Sequence, residues 1–229
     1  MVDKSKDKIG SMFDEIASSY DKLNHLFTMN RDRIWRKEIV TYIKNKGMKT
    51  KCILDLASGT GDLTKELIDL NPDKLTAADI SEKMLDVQRN KIIYPGLSLV
   101  CADAENLPFD DNYFDIITIG FGIRNFEHLD KSFSEIKRVL KQEGILVILE
   151  IFKSDGFISN IFNMYFGKIM PFMGNKISHS NAYTYLFRSV DTFYTIENFL
   201  EFCRRNGFKA EYCRNNFFKI VNTVYLKKD

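Results

Sequence analysis

Ile53-Leu54-Asp55-Leu56-Ala57-Ser58-Gly59-Thr60-Gly61-Asp62 is the stretch whose reading decides the fold. An apolar run enters a tight glycine turn and is followed at once by a helical pattern, the signature of a βα unit. Gly59 and Gly61 remove side chains where backbone must approach a ligand closely. A dinucleotide fingerprint would want a third glycine at position 64, where Thr64 stands. The turn therefore suits a ligand without a pyrophosphate. Taken alone it is also compatible with any tight βα turn.

The next acidic residues narrow that choice. Asp79 closes a second apolar run, where a carboxylate can accept both hydroxyls of a ribose, and Asp103-Ala104 follow a third, within reach of an adenine amino group. Glycine or acidic signals at three successive strand ends point to a nucleoside-containing cofactor. Aspartates such as Asp55 beside the turn favour one bearing ammonium and sulfonium charge, S-adenosyl-L-methionine.

Working outward, strands are predicted at Cys52–Ala57, Leu75–Asp79, Leu97–Cys101, Phe114–Ile119 and Ile145–Ile151, with helices near Asp62–Leu70, Glu82–Asn90 and Asp130–Leu140. This βαβ rhythm gives an α/β fold of the class I Rossmann-like kind, a mostly parallel seven-stranded sheet covered on both faces. Helices near Ile9–Leu26 and Arg33–Asn45 precede it. A helix near Ile196–Asn206 and strands at Phe208–Cys213 and Phe217–Leu226 follow, the last strand antiparallel. A single domain is expected: a helical cap (1–50), a cofactor-binding core (51–152), an aromatic-rich substrate lid (153–190) and a C-terminal helix and hairpin (191–229).

The chain has 229 residues, 45% apolar and 28% charged, enough for a sizeable core without a disulfide or metal staple. Its four cysteines form no CxxC pair, and no histidine stands at ligand spacing, so neither a disulfide framework nor a metal site is expected. No signal peptide or membrane span is visible, which predicts a cytoplasmic protein. A net charge of +2 excludes a global nucleic-acid signature. Locally, Arg31, Arg33, Arg36, Lys37, Lys44, Lys46, Lys49 and Lys51 face only Asp32 and Glu38. That excess reads either as a solvated helix face or as a patch for anionic lipid headgroups or a phosphate.

Further stretches carry a family resemblance. Tyr20-Asp21-Lys22-Leu23-Asn24 with Trp35, Asp103 to Phe109, Gly120-Phe121-Gly122-Ile123-Arg124-Asn125, and Arg138-Val139-Leu140-Lys141 leading to Glu150 resemble the ubiquinone/menaquinone biosynthesis C-methyltransferases from about Phe13 to Val224. The resemblance implies methylation of demethylmenaquinol or, alternatively, of a methoxy-polyprenyl-benzoquinol. It implies cofactor contacts from Thr60, Asp79, Asp103 and Ala104, with Gly120 at a further contact position that is usually serine in the ubiquinone branch. Departures are Asp32 where histidine is frequent, Gln142-Glu143-Gly144 in a turn before the fifth strand, Phe152 for serine, and Lys219 for glycine.

Methylating a ring carbon calls for a phenolate, because ionising a hydroxyl places electron density on the adjacent carbon. Arg124 is the candidate phenolate stabiliser, or else a member of a structural ion pair with a cofactor-side aspartate. Asn125 is placed to orient the hydroxyl, and Tyr20 to act as relay or hydrogen-bond partner, or simply to pack on the sheet. His128 titrates in the useful range or lies in an exposed loop. The aromatic segment Phe157–Phe187 reads as lid and prenyl channel, or as an ordinary core helix. With the basic stretch it would form a peripheral membrane contact at the inner face. Monomer or homodimer stays open. Competing readings are another small-molecule methyltransferase and a non-catalytic cofactor-binding scaffold. A nucleic-acid partner is not expected.

Overall fold

The computed structural model describes residues 3–154 and 182–229. The cap consists of α1 (Lys6–Phe27) and α2 (Arg31–Asn45). They are separated at Met29 and Asn30, both left-handed at φ 52° and 59°, which breaks the helix. The core then alternates β1 (Cys52–Leu56), α3 (Asp62–Leu67), β2 (Lys74–Asp79), α4 (Glu82–Lys91), β3 (Leu97–Cys101), β4 (Phe114–Gly120), α5 (Leu129–Val139) and β5 (Leu140–Ile151). Among the described residues α6 (Ala182–Asp191), α7 (Ile196–Arg205), β6 (Phe208–Phe217) and β7 (Val221–Lys228) complete the chain.

The seven strands run in the order β3-β2-β1-β4-β5-β7-β6, and β7 pairs antiparallel with both neighbours. Two-residue periodicity sorts the strand side chains to opposite faces. Leu54, Leu56, Ile117, Ile119, Leu146 and Ile148 pack on one side with Phe133 and Ile136 of α5 and Phe199 and Phe202 of α7. Ile53, Ile116, Val147 and Leu149 pack on the other with Trp35, Ile39 and Ile43 of α2 and Leu63 and Leu67 of α3. Both faces are therefore dry, which is why the strands read as continuous apolar runs. Strand order reverses between β1 and β4, and the crevice beyond their carboxyl ends is where such sheets bind ligands.

Three boundaries differ from expectation. The helix expected over 62–70 ends in a 3-10 turn, Ile68–Leu70. Residues 140–144, expected to include a turn, belong to β5: Leu140 pairs with Phe114 and Ile145 with Ile116, so a bulge absorbs the extra residues and exposes Gln142 and Glu143. Phe217 ends β6 rather than opening β7, and the turn runs through Phe218 and Lys219 at φ 44° and 61°. Lys219 thus occupies a left-handed position that glycine adopts at lower cost, about 1–2 kcal/mol. Most of the expected lid, 155–181, lies outside the described residues.

Candidate active site

A cleft of about 760 Å³, open solvent at its mouth included, lies at the switch point. Gly59, Asp79, Ile80, Met84, Asp103 and Ala104 line one end, Gly120, Phe121, Gly122 and Asn125 the other, and Lys4, Ile9, Phe13 and Tyr20 of the cap close over it. Ala57 and Phe121, the residues following β1 and β4, are left-handed at φ 54° and 61°. Such strain at two strand ends facing one cleft is characteristic of a functional site. Gly122 is required here, since a Cβ on it would stand 2.5 Å from that of Ala57.

Asp79 is buried at the end of β2, and each carboxylate oxygen accepts one backbone N–H, Gly59 at 2.7 Å and Ser81 at 2.9 Å. Burial raises its pKa against those hydrogen bonds. Each oxygen keeps a lone pair, so the carboxylate can still accept two hydroxyl donors. Asp103 follows β3, its Oδ1 accepting the Glu105 N–H at 2.9 Å in a turn that presents Ala104 to the cleft. This set of acceptors therefore fits the hydroxyl and amino donors of a nucleoside.

Other candidates lie elsewhere. Asp55 is fully buried inside β1, where Thr64 (2.6 Å) and Thr118 (2.8 Å) donate to its two oxygens. It fastens α3 to the sheet, and burial pushes its pKa to about 6. Thr60 is buried and donates to Asp21 of α1. Asp55 and Thr60 line a smaller adjoining recess of about 360 Å³, open solvent included, rather than the main cleft. Gly61, at φ 85°, backs onto Gln88 of α4.

At the far end Asn125 is buried and its Oδ1 accepts the Tyr185 hydroxyl at 3.2 Å. Burial raises Tyr185 to about 12. Tyr20 packs edge-on against Phe13 at 5.8 Å, and burial raises its pKa too. Arg124 does not line the cleft. Its guanidinium donates to Glu150 (2.5 Å), the Phe121 carbonyl (2.7 Å) and Ser189 (3.2 Å), with the side chains of Arg124 and Glu150 only 4% and 0% exposed. Burial raises Glu150, opposed by Arg124. His128 sits outside on the rim, paired with Glu105 at 2.9 Å.

Sequence reasoning missed the clasp on the glycine loop. Lys91 of α4 bridges Asp21, at 2.8 Å, and Asp62. Behind it His25 lies 2.7 Å from Asp32 and 3.4 Å from Asp62, and Arg36 also binds Asp32. Burial opposes ionisation of Asp32, but Arg36 and Thr28 hold its pKa down. Arg36 is therefore a buried structural cation rather than part of a surface patch, within ion-pair distance of both Asp32 and, at 3.8 Å, Asp62. Glu150 had a visible signal: it is the lone acid in an apolar strand, and such a residue demands a partner.

Residues 1–225 match the model of the ubiE/COQ5 methyltransferase family. Demethylmenaquinone methyltransferase of Bacteroides fragilis is 39% identical, covering 97% of this chain and 92% of its own. That of Chlorobaculum tepidum is 36% identical, covering 98% and 94%. A ubiquinone/menaquinone biosynthesis C-methyltransferase UbiE of Burkholderia ambifaria is 35% identical over 82% of this chain and 79% of its own. Among solved structures, a SAM-dependent methyltransferase of Thermotoga maritima superposes with a TM-score of 0.67 at 17% identity, covering 96% and 99%, which supports the fold. With the motif-bearing strand ends gathered on one cleft and the match running almost end to end, the chain belongs to the ubiE/COQ5 methyltransferase family.

Proposed function

We propose that this protein is an S-adenosylmethionine-dependent C-methyltransferase that converts demethylmenaquinol to menaquinol. The observation that carries the reading is the near full-length similarity, at 36–39% identity, to proteins named demethylmenaquinone methyltransferase. Asp79, Asp103, Ala104 and Gly59 would hold the cofactor's nucleoside. Bound there, S-adenosylmethionine supplies an electrophilic methyl group on a sulfonium.

The protein's own work is to orient an acceptor ring and favour its ionised hydroxyl, so that the neighbouring carbon is nucleophilic. Asn125, held by Tyr185, orients that hydroxyl. Tyr20, its pKa raised, stays protonated at neutral pH and donates a hydrogen bond rather than serving as the base. Arg124, committed to Glu150, fixes the segment that carries Asn125.

Purified protein with methyl-labelled cofactor and reduced demethylmenaquinone is expected to place label in the quinol, and to label a methoxy-benzoquinol less. No label in either, with cofactor bound, would overturn the reading in favour of another acceptor or a scaffold.

A peripheral membrane contact is part of the proposal. No helix among the described residues is long and apolar enough to cross a membrane. Leu26, Met29 and Ile34 are 54%, 71% and 55% exposed around the α1–α2 turn beside Arg31 and Arg33, a combination suited to an anionic surface. Co-sedimentation with vesicles containing anionic lipid checks it, and a protein left wholly in the supernatant would refute it.

A further inference from the structure

A site that ionises an acceptor hydroxyl gains from a positive group facing the oxygen, beyond what neutral donors such as Tyr20 supply. Arg124 does not provide it, because a guanidinium buried against a buried carboxylate is a locally neutral pair. Lys4 differs. It lines the same cleft as Tyr20 and Asn125, and its ammonium stands 6.0 Å from the centroid of the Phe193 ring. Phe193 packs on Phe152 just beyond β5, so this ammonium lies toward the Arg124–Glu150 end of the cleft rather than the Asp79 end. Among the described residues no carboxylate comes within ion-pair distance of Lys4, whereas Lys8 is tied to Asp3, and Lys91 to Asp21 and Asp62. Lys6 also lines the cleft but is exposed. The lysine is half-buried, and its pKa is pulled down by burial and by Arg124 against the opposing pull of Glu150. A partly dehydrated ammonium over an aromatic face, without a carboxylate partner, is a poor structural element and a good anion receptor.

We infer that the Lys4 ammonium receives the phenolate oxygen of the acceptor, the role that the sequence suggested for Arg124. Lys4 stays protonated throughout, and the hydroxyl proton leaves to solvent water. The carboxylates that share the cleft, Asp79, Asp103, Glu105 and Glu127, line it from β2, from the segment after β3 and from the segment after Asn125. The assignment rests on the phenolic-acceptor reading above.

The test uses the full chain with 4-nitro-1-naphthol, whose anion absorbs in the visible, titrated while bound to wild type, Lys4→Met and Lys4→Arg. Cofactor affinity and melting temperature, measured alongside, show that each variant is folded. Wild type is expected to hold the bound naphthol at least tenfold more ionised than Lys4→Met at the same pH. That corresponds to a drop of about one unit in its pKa, or about 1.4 kcal/mol. Lys4→Arg retains most of the effect, and turnover of the quinol falls in parallel. If the naphthol binds but titrates identically in wild type and Lys4→Met, the assignment is overturned and the acceptor reading survives. If wild type neither binds the naphthol nor methylates the reduced quinol, the acceptor reading fails and the assignment with it; if only the naphthol fails to bind, equal quinol turnover by wild type and Lys4→Met overturns the assignment.

Discussion

Replacing Arg124 by methionine separates an architectural role from a catalytic one. The substitution leaves Glu150, fully buried, without its cation, and leaves the Phe121 carbonyl and Ser189 without a donor. Removing one member of such a pair costs about 3–5 kcal/mol. At roughly 2–4 °C per kcal/mol for a chain of this size, the melting temperature is expected to fall by about 6–20 °C. Adding Glu150→Leu removes the stranded carboxylate. The double variant should regain about half of the loss and remain about 1–3 kcal/mol below wild type, because the Phe121 carbonyl loses Arg124 and the Ile151 N–H loses Glu150. Guanidinium unfolding of wild type, Arg124→Met, Glu150→Leu alone and the double variant closes the cycle, with methyl transfer assayed on those that are folded. A single variant within about 1 kcal/mol of wild type, or a double variant no more stable than the single, would refute the structural reading. A well-folded double variant slowed by more than about a hundredfold would return Arg124 to the acceptor, since that is the loss expected for a group that stabilises an oxyanion.

Three further outcomes test the site. Asp79→Asn is expected to weaken cofactor binding about 10–100-fold by calorimetry, the worth of hydrogen bonds to a charged group; a change within threefold would show that Asp79 does not hold it. Asp55, with a folded pKa of about 6 against 3.8 for the free side chain, binds its proton more tightly in the native state, so its stabilising contribution is complete below about pH 4 and lost as pH rises through 6. Relative to Asp55→Asn, wild type should therefore lose about 3 kcal/mol between about pH 3 and pH 7.5 in urea titrations, and parallel pH profiles would contradict it. Gly122→Ala drives a Cβ to 2.5 Å from that of Ala57 and is expected to cost about 1–3 kcal/mol, read as a lower melting temperature; an unshifted melt would show that the two strand ends part freely.

What could be read from the sequence divides along a physical line. Strand ends, turns and the residues closing them follow from local period and turn chemistry, so Gly59, Asp79, Asp103 and Asn125 fall on one cleft as expected. Asp55 shows what local reading leaves out: it stands within β1, opposite Ala77 of β2 and Thr118 of β4, and the threonine hydroxyls that occupy its two oxygens come from α3 and β4. The partners in long-range pairings were hidden, even where, as at Arg124 and Glu150, the need for one was visible. Arg124 and Glu150 are 26 residues apart, and Thr60 and Asp21 are 39 apart, so only strand order and the docking of α1 bring them together.

Those hidden pairings also decide what the cleft can bind. Three carboxylates, Asp55, Asp79 and Glu150, are buried around the carboxyl ends of β1, β2 and β5, and burial raises all three pKa values. Glu150 has Arg124 and Asp55 has two threonine hydroxyls, but Asp79 has only backbone N–H donors, and no cation of the described residues lies within ion-pair distance of it. Burying an ionised group that is incompletely partnered is costly, and the cost falls when a ligand supplies donors or positive charge. A ribose diol attached to a cationic sulfonium supplies both. The electrostatics of Asp79 thus favour a positively charged nucleoside at one end of the cleft, while Lys4 favours an anion at the other. Each end of the cleft would then hold one reactant in its charged form, the cation beside Asp79 and the anion beside Lys4, which orders the two for an in-line transfer.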